Sequence, residues 1–226
     1  MKELEDIISI IATLIGILLN ITPIIIFSKI MRRKENYKII SQSILFYNII
    51  CSELWMIYWY RINKKIPMIS ASIDFYLSLF FIIIYFYFLQ EKKFLIWIFS
   101  CFIILDLSFQ VYYISIYIIK NDEIIGIITM IFNIITSYKP FQNIFKIMKE
   151  GNYKMISIFD TILGCFCAFF WLIYGILIKN FKAIIPNFIG FIISFIHILL
   201  YTVFYLKRKK NDEKKEKLNY KEIVEV

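Results

Sequence analysis

Cys51-Ser-Glu-Leu-Trp55-Met-Ile-Tyr58 returns 116 residues later as Cys167-Ala-Phe-Phe-Trp171-Leu-Ile-Tyr174. The same offset joins Asn36-Tyr-Lys-Ile-Ile-Ser41 to Asn152-Tyr-Lys-Met-Ile-Ser157, ten residues before each Cys. Further upstream, Pro23 and Lys29-Ile-Met31 match Pro140 and Lys146-Ile-Met148 at an offset of 117, so one loop residue differs. A bias toward isoleucine can manufacture matched Ile. It cannot match Pro, Asn, Cys, Trp and Tyr in register. The chain is an internal duplication, and a duplication decides the fold before any single element does.

What is duplicated is apolar. Of the 226 residues, 60% are hydrophobic and only 19% charged. An ordinary soluble domain runs nearer about 45–50% apolar and about 25% charged. A soluble globule of this size leaves too much surface in water to hide such a composition, and a disordered chain needs the opposite one. A polytopic membrane protein remains. Stretches of about 20 apolar residues fall near 7–28, 39–60, 67–89, 94–118, 123–147, 156–178 and 182–206. The start, Met1 to Asp6, is acidic where a cleavable signal would be basic, so the first run reads as a span.

The net charge of +9 would suit nucleic acid, but the basic residues sit in the gaps between apolar runs and in the tail from Lys207. That is the placement that orients membrane proteins, and nucleic acid is not expected as a partner. One side of the membrane collects 18 Lys and Arg, the other 7, with Lys139 inside a span. The bias puts the N-terminus outside or in a lumen and the C-terminus in the cytosol. The tail beyond Lys207 has few apolar residues and is expected to be disordered. The four cysteines lie inside apolar runs, and Cys165-Phe-Cys167 has the wrong spacing for zinc, so no metal is expected.

Each copy is three spans long. Two such units joined directly would be inverted; the fourth span between them restores their orientation. The expected fold is all-α and integral to the membrane, seven transmembrane helices as two parallel three-helix repeats joined by a linker helix. The expected organisation is 1–89 for the first repeat, 90–120 for the linker, 121–206 for the second repeat and 207–226 for a basic cytosolic tail. Parallel repeats belong to certain transporters, whose site lies near the midplane between the halves.

The second half then reads Trp171-Leu-Ile-Tyr174-Gly175, Ile185-Pro186-Asn187-Phe-Ile-Gly190, and the trailing Tyr201 and Tyr205. This resembles the SWEET (MtN3/saliva) sugar transporters over about residues 7–206, more closely in the second repeat. The resemblance implies a 3+1+3 bundle that moves mono- or disaccharides down their gradient as a uniporter, with no cofactor and no catalysis. It places Trp55, Trp171 and Asn187 in a central pocket. Their chemistry suits that role: indole faces cover the apolar C–H face of a sugar, and an amide both donates to and accepts from hydroxyls. Tyr58 and Tyr174, one turn beyond the tryptophans, resemble gate residues. The acidic residue that the family has after Tyr-Gly is Asn180 here, which counts against an ionic gate. Pro23 and Pro140 are positioned to bend spans one and five as hinges.

Asp74 departs from the pattern. The family usually pairs the second-half Asn with another Asn on span three, and counting from Trp55 puts Asp74 there. A carboxyl group inside a span is a functional hypothesis by default. It can accept sugar hydroxyls, donate when protonated, or carry a proton. The last option supports an alternative function, a proton-coupled Pro-Gln-loop-type carrier of amino acids or similar small solutes; Pro140-Phe-Gln142 resembles that motif loosely. Asp106 and Gln110, one turn apart on span four, read as a satisfied pair. His197 reads as a structural hydrogen-bonding group, Trp59 and Trp97 as interfacial anchors, and Asn20-Ile-Thr22 as a glycosylation sequon inside a span and therefore without use. A heptahelical receptor shares the seven spans but is not duplicated. The chain has no metalloprotease or serine-hydrolase motif, and one His offers metal catalysis little. The expected partners are a small-molecule sugar and the lipid bilayer of a plasma membrane or endomembrane; a homo-oligomer is left open.

Overall fold

The computed structural model describes residues 2–33, 42–89, 121–151 and 157–224 together with six isolated positions between 103 and 117. Its side chains are described at 2–22, at 46–84 and over most of 121–213. The described elements are all helical: α1 (Lys2–Arg33), α2 (Gln42–Arg61), α3 (Lys65–Leu89), α4 (Asp122–Thr136), α5 (Tyr138–Glu150), α6 (Ile158–Leu177) and α7 (Phe181–Val224). The six isolated positions, also helical, belong to the expected fourth span. The repeated Asn-Tyr-Lys starts (36–41 and 152–156), Trp97, most of span four and the side chains of Pro23 and Lys139 lie outside the described residues.

Local chemistry sets the ends. Asn121 caps α4, its side-chain oxygen accepting from the Glu123 N–H at 2.8 Å, with Asp122 and Glu123 in the first turn against the positive end of the helix dipole. Gly151 stops α5 in the left-handed conformation that glycine tolerates, φ 65°. The turns from α2 to α3 and from α6 to α7 share one geometry. Asn63 (φ 57°) and Lys179 (φ 53°) are both left-handed and stand 116 residues apart. Lys64 N–H bonds back to Trp59 C=O at 3.0 Å, and Asn180 N–H to Gly175 C=O at 2.9 Å. This six-to-one closure satisfies carbonyls that the helix end leaves without partners.

Span five is two helices. The ladder breaks at Ser137, whose N–H bonds Ile134 C=O at 3.0 Å, and Pro140 stands in the first turn of α5, where its missing N–H is not needed. The counterpart α1 is assigned as one helix through Pro23. At the other end, α7 runs on past Leu206 as helix to Val224, where disorder is expected from composition. Lys and Glu are good helix formers, and no Gly or Pro interrupts 207–224.

The packing repeats with the sequence. In the first half α3 packs on both α1 and α2; in the second, α7 packs on both α4 and α6. Between the halves, α1 packs on α6 and α4 on α2. Each contact thus has its partner under a two-fold operation that exchanges the halves. Lys2–Thr22, Lys65–Ile84, Asp122–Glu150, Ile158–Leu177 and Phe181–Asn211 are long and apolar enough to cross a membrane. Their exposed faces carry large apolar side chains such as Leu14, Phe80, Phe166 and Phe188, as a lipid-facing surface requires. α2 is more polar and more enclosed. It buries Cys51–Leu54 and Ile57–Trp59. The fold is that of a seven-span helical membrane protein.

Candidate functional site

A cavity of ≈ 340 Å³ lies between the two halves, within the range of roughly 300–1,000 Å³ usual for small-molecule sites. Trp55, Asp74, Trp171 and Asn187, the four candidate binding residues, all line it. They come from α2, α3, α6 and α7, so no single helix builds the site.

One wall is acidic. Asp74 on α3 accepts a hydrogen bond from Asn20 Nδ2 of α1 at 2.5 Å. Ser70, one turn before Asp74, lines the same wall. The second half contributes neutral polar groups to the lining, Asn133 and Thr136 of α4 and Asn187 of α7. Asn187 Nδ2 donates to the Ala183 carbonyl at 2.8 Å, which fixes the amide in the first turns of α7, next to Pro186. No Lys, Arg or His is among the described lining residues.

The end of the cavity toward the two inter-helix turns is closed by aromatic rings. Trp55 stacks on Trp59 with centroids 5.2 Å apart, and Trp59 meets Tyr174 edge-on at 6.0 Å, joining the halves. Trp171 meets Tyr174 at 5.6 Å and Trp55 meets Tyr58 at 5.9 Å, so each candidate gate tyrosine stands over its tryptophan. Tyr58 and Tyr174 are each only 2% exposed. Asn180 Nδ2 donates to Tyr58 Oη at 2.8 Å, a second and uncharged link between the halves.

Ion pairs ring this closure. Arg61 of α2 meets Asp122 of α4 at 2.6 Å, across the halves. Each half also holds its own pair, Lys64 with Glu5 at 2.9 Å and Lys182 with Glu123; both pairs are 59 residues apart in sequence. Gly126 of α4 makes the approach feasible. A Cβ there would lie 2.7 Å from the Tyr58 ring and would strike the Lys182 chain. Thr129, fully buried, reaches from α4 toward the Leu54 carbonyl of α2 at 3.4 Å.

Several expectations change on these facts. Trp59 is not an interfacial anchor: it is 4% exposed, stacks on Trp55 and lines the cavity, because its helix is held between α3 and α4. Asn20, set aside as a sequon, is the partner of Asp74. Asn133 and Ser70 were missed. The signal that could have found them is the presence of polar side chains in otherwise apolar spans. Gln110 does donate to Asp106, at 2.7 Å, on the exposed surface of span four. Pro140 is exposed. His197 and Glu53 are buried away from the cavity lining.

Comparison with known proteins bears on the same regions. A family model described as "Sugar efflux transporter for intercellular exchange" matches the chain twice, over residues 6–93 and 123–210. The "Bidirectional sugar transporter SWEET10" of Arabidopsis thaliana is 26% identical over 212 residues, which is 87% of this chain and 72% of that protein. The "Bidirectional sugar transporter NEC1" of Petunia hybrida is 27% identical over 107 residues, 46% of this chain and 40% of that protein. A solved eukaryotic SWEET transporter superposes with a TM-score of 0.76 at 17% identity, covering 89% of this chain and 99% of that one. That superposition shows a shared fold.

Proposed function

The chain belongs to the MtN3/saliva (SWEET) family, and we propose that it is a bidirectional facilitative transporter of mono- or disaccharides, a uniporter working by alternating access. The observation that carries this reading is the meeting of Trp55, Asp74, Trp171 and Asn187 in one cavity between the halves. In this reading the indoles of Trp55 and Trp171 stack on the sugar's apolar face. Asn187 and Asp74 bind its hydroxyls, with Asn20, Asn133 and Ser70 as further hydrogen-bonding groups. Tyr58 and Tyr174 form the gate, and the break at Ser137 ahead of Pro140 is a hinge, with Pro23 its counterpart. The closed end faces the outside or a lumen, and the basic end faces the cytosol. A reporter fused after Val226 should therefore be cytosolic and one before Met1 should not.

The relatives named as bidirectional sugar transporters support the substrate class. The Asn20–Asp74 contact supports the second reading, a proton-coupled carrier, because it sets a titratable group in the cavity wall. Uptake of labelled sugar into proteoliposomes, with and without an imposed pH gradient, separates the two. A uniporter equilibrates sugar regardless of the gradient. Accumulation above equilibrium that an uncoupler collapses and Asp74→Asn eliminates would establish the carrier instead.

A further inference from the structure

The two walls of the cavity differ in charge, and the difference points to a substrate class. Among the described residues Asp74 accepts one hydrogen bond, from the neutral amide of Asn20. Among the described residues the lining contains no cationic side chain to balance its carboxylate. The described ion pairs at the closed end place their cations on other carboxylates: Arg61 on Asp122, Lys64 on Glu5 and Lys182 on Glu123. The same cavity is lined by three indoles, those of Trp55, Trp59 and Trp171, whose ring faces carry negative potential and attract cations. The second half's polar lining, Asn133, Thr136 and Asn187, is neutral and suited to hydroxyls. A carboxylate, three indoles and a hydroxyl-binding wall are together complementary to a polyol that carries one positive charge.

We infer that the cavity accepts amino sugars and related protonated amino-polyols, and prefers them to neutral sugars of the same size, with the ammonium on Asp74 and the hydroxyls on the wall formed by α4 and α7. This rests on the proposed sugar-binding role of the same cavity and narrows it. In the bound state the ammonium supplies a counter-charge to Asp74 that a neutral hydroxyl cannot, adding an ion pair to the hydrogen bond. The N-acetylated form of the same sugar keeps its hydroxyls but loses the charge and should lose the advantage.

The test is competition in proteoliposomes holding the full-length protein, with labelled hexose as the reporter. Unlabelled hexose, the corresponding hexosamine and its N-acetyl derivative compete at neutral pH, where a sugar amine is largely protonated. The hexosamine should compete about tenfold better than either neutral sugar, because its ammonium forms an ion pair with Asp74 where a hydroxyl makes only a hydrogen bond to the same carboxylate. Asp74→Asn should bring that ratio close to one, measured within the same vesicles. The ligand series in the wild-type protein stands without the variant should the variant fold poorly. Equal competition by all three sugars, or weaker competition by the amine, overturns this inference while leaving sugar transport intact. A hexose that is not taken up at all overturns both.

Discussion

At the turn end of the bundle the first half closes α2 with Asn63 left-handed and Lys64 bonded back to Trp59. The second half closes α6 with Lys179 and Asn180 in the same way. Both then anchor their third helix to their first, through Lys64–Glu5 and Lys182–Glu123. Deeper in the bundle the halves diverge. The first presents Asn20 and Asp74 to the cavity, the second Asn133, Thr136 and Asn187. The contrast is physical. The turns and anchors hold three helices together in each copy and have one good solution. In the proposed transporter the cavity walls would bind different parts of one ligand, so nothing requires them to match.

Substitutions that act on one half at a time can break this picture. The largest effect is expected at the cavity. Trp171→Ala or Asn187→Ala should lower sugar uptake by about thirtyfold or more, the usual cost of truncating a buried anchor of about 2 kcal/mol, while the protein still reaches the membrane. Trp55→Ala should match Trp171→Ala if the platforms are equivalent. Near-wild-type uptake by the Trp171 or Asn187 variant would place the binding site elsewhere.

A smaller effect is expected from glycine. Gly126→Ala puts a methyl group 2.7 Å from the Tyr58 ring and should destabilise the closed form by about 1–3 kcal/mol through overpacking, read as a lower melting temperature in detergent. Gly16→Ala meets only Cys167 Sγ at an ordinary 3.7 Å and should leave the melting temperature near wild type. Equal losses from both would mean that α1 approaches α6 as closely as α4 approaches α2.

The smallest effect separates the two anchors. The Lys182 side chain is 5% exposed and the Lys64 side chain 34%. Glu123→Gln strands a buried ammonium and should cost about 1–2 kcal/mol of stability. Glu5→Gln removes a partly solvated pair and should cost under about 1 kcal/mol. Thermal unfolding of the two variants side by side checks the order, and the reverse order would show that the first half depends more on its anchor.

The duplication, the seven spans and the four central residues could be read from sequence because each carries a signal that survives without coordinates. Trp55 and Trp171 share a register, Asp74 is a carboxyl in an apolar run, and Asn187 sits in a resembled motif. Trp59 carries no such signal. Its counterpart at the offset of 116 is Gly175, so the repeat is silent about it, and an isolated Trp in a span looks like a belt residue. Asn20 fails for the same reason, since Ser137 stands opposite it at the offset of 117. The ion pairs join residues about sixty positions apart, and only the packing of α1 on α3, α4 on α7 and α2 on α4 brings them together. The helical tail was misread because a lack of apolar residues predicts solvent exposure, not absence of helix.

The closed end holds two kinds of link that respond differently to dissolved ions. The Arg61–Asp122, Lys64–Glu5 and Lys182–Glu123 pairs each have at least one partner substantially open to solvent, with Asp122 at 47% and Glu123 at 67%. Mobile ions screen such pairs over a Debye length of about 8 Å at physiological strength and about 3 Å in molar salt. The Asn180–Tyr58 hydrogen bond carries no net charge, and the stacked indoles beneath it carry none either. The salinity of the solution bathing this face therefore acts on the rim and leaves the inner layer untouched, so the closure weakens with salt without being abolished by it.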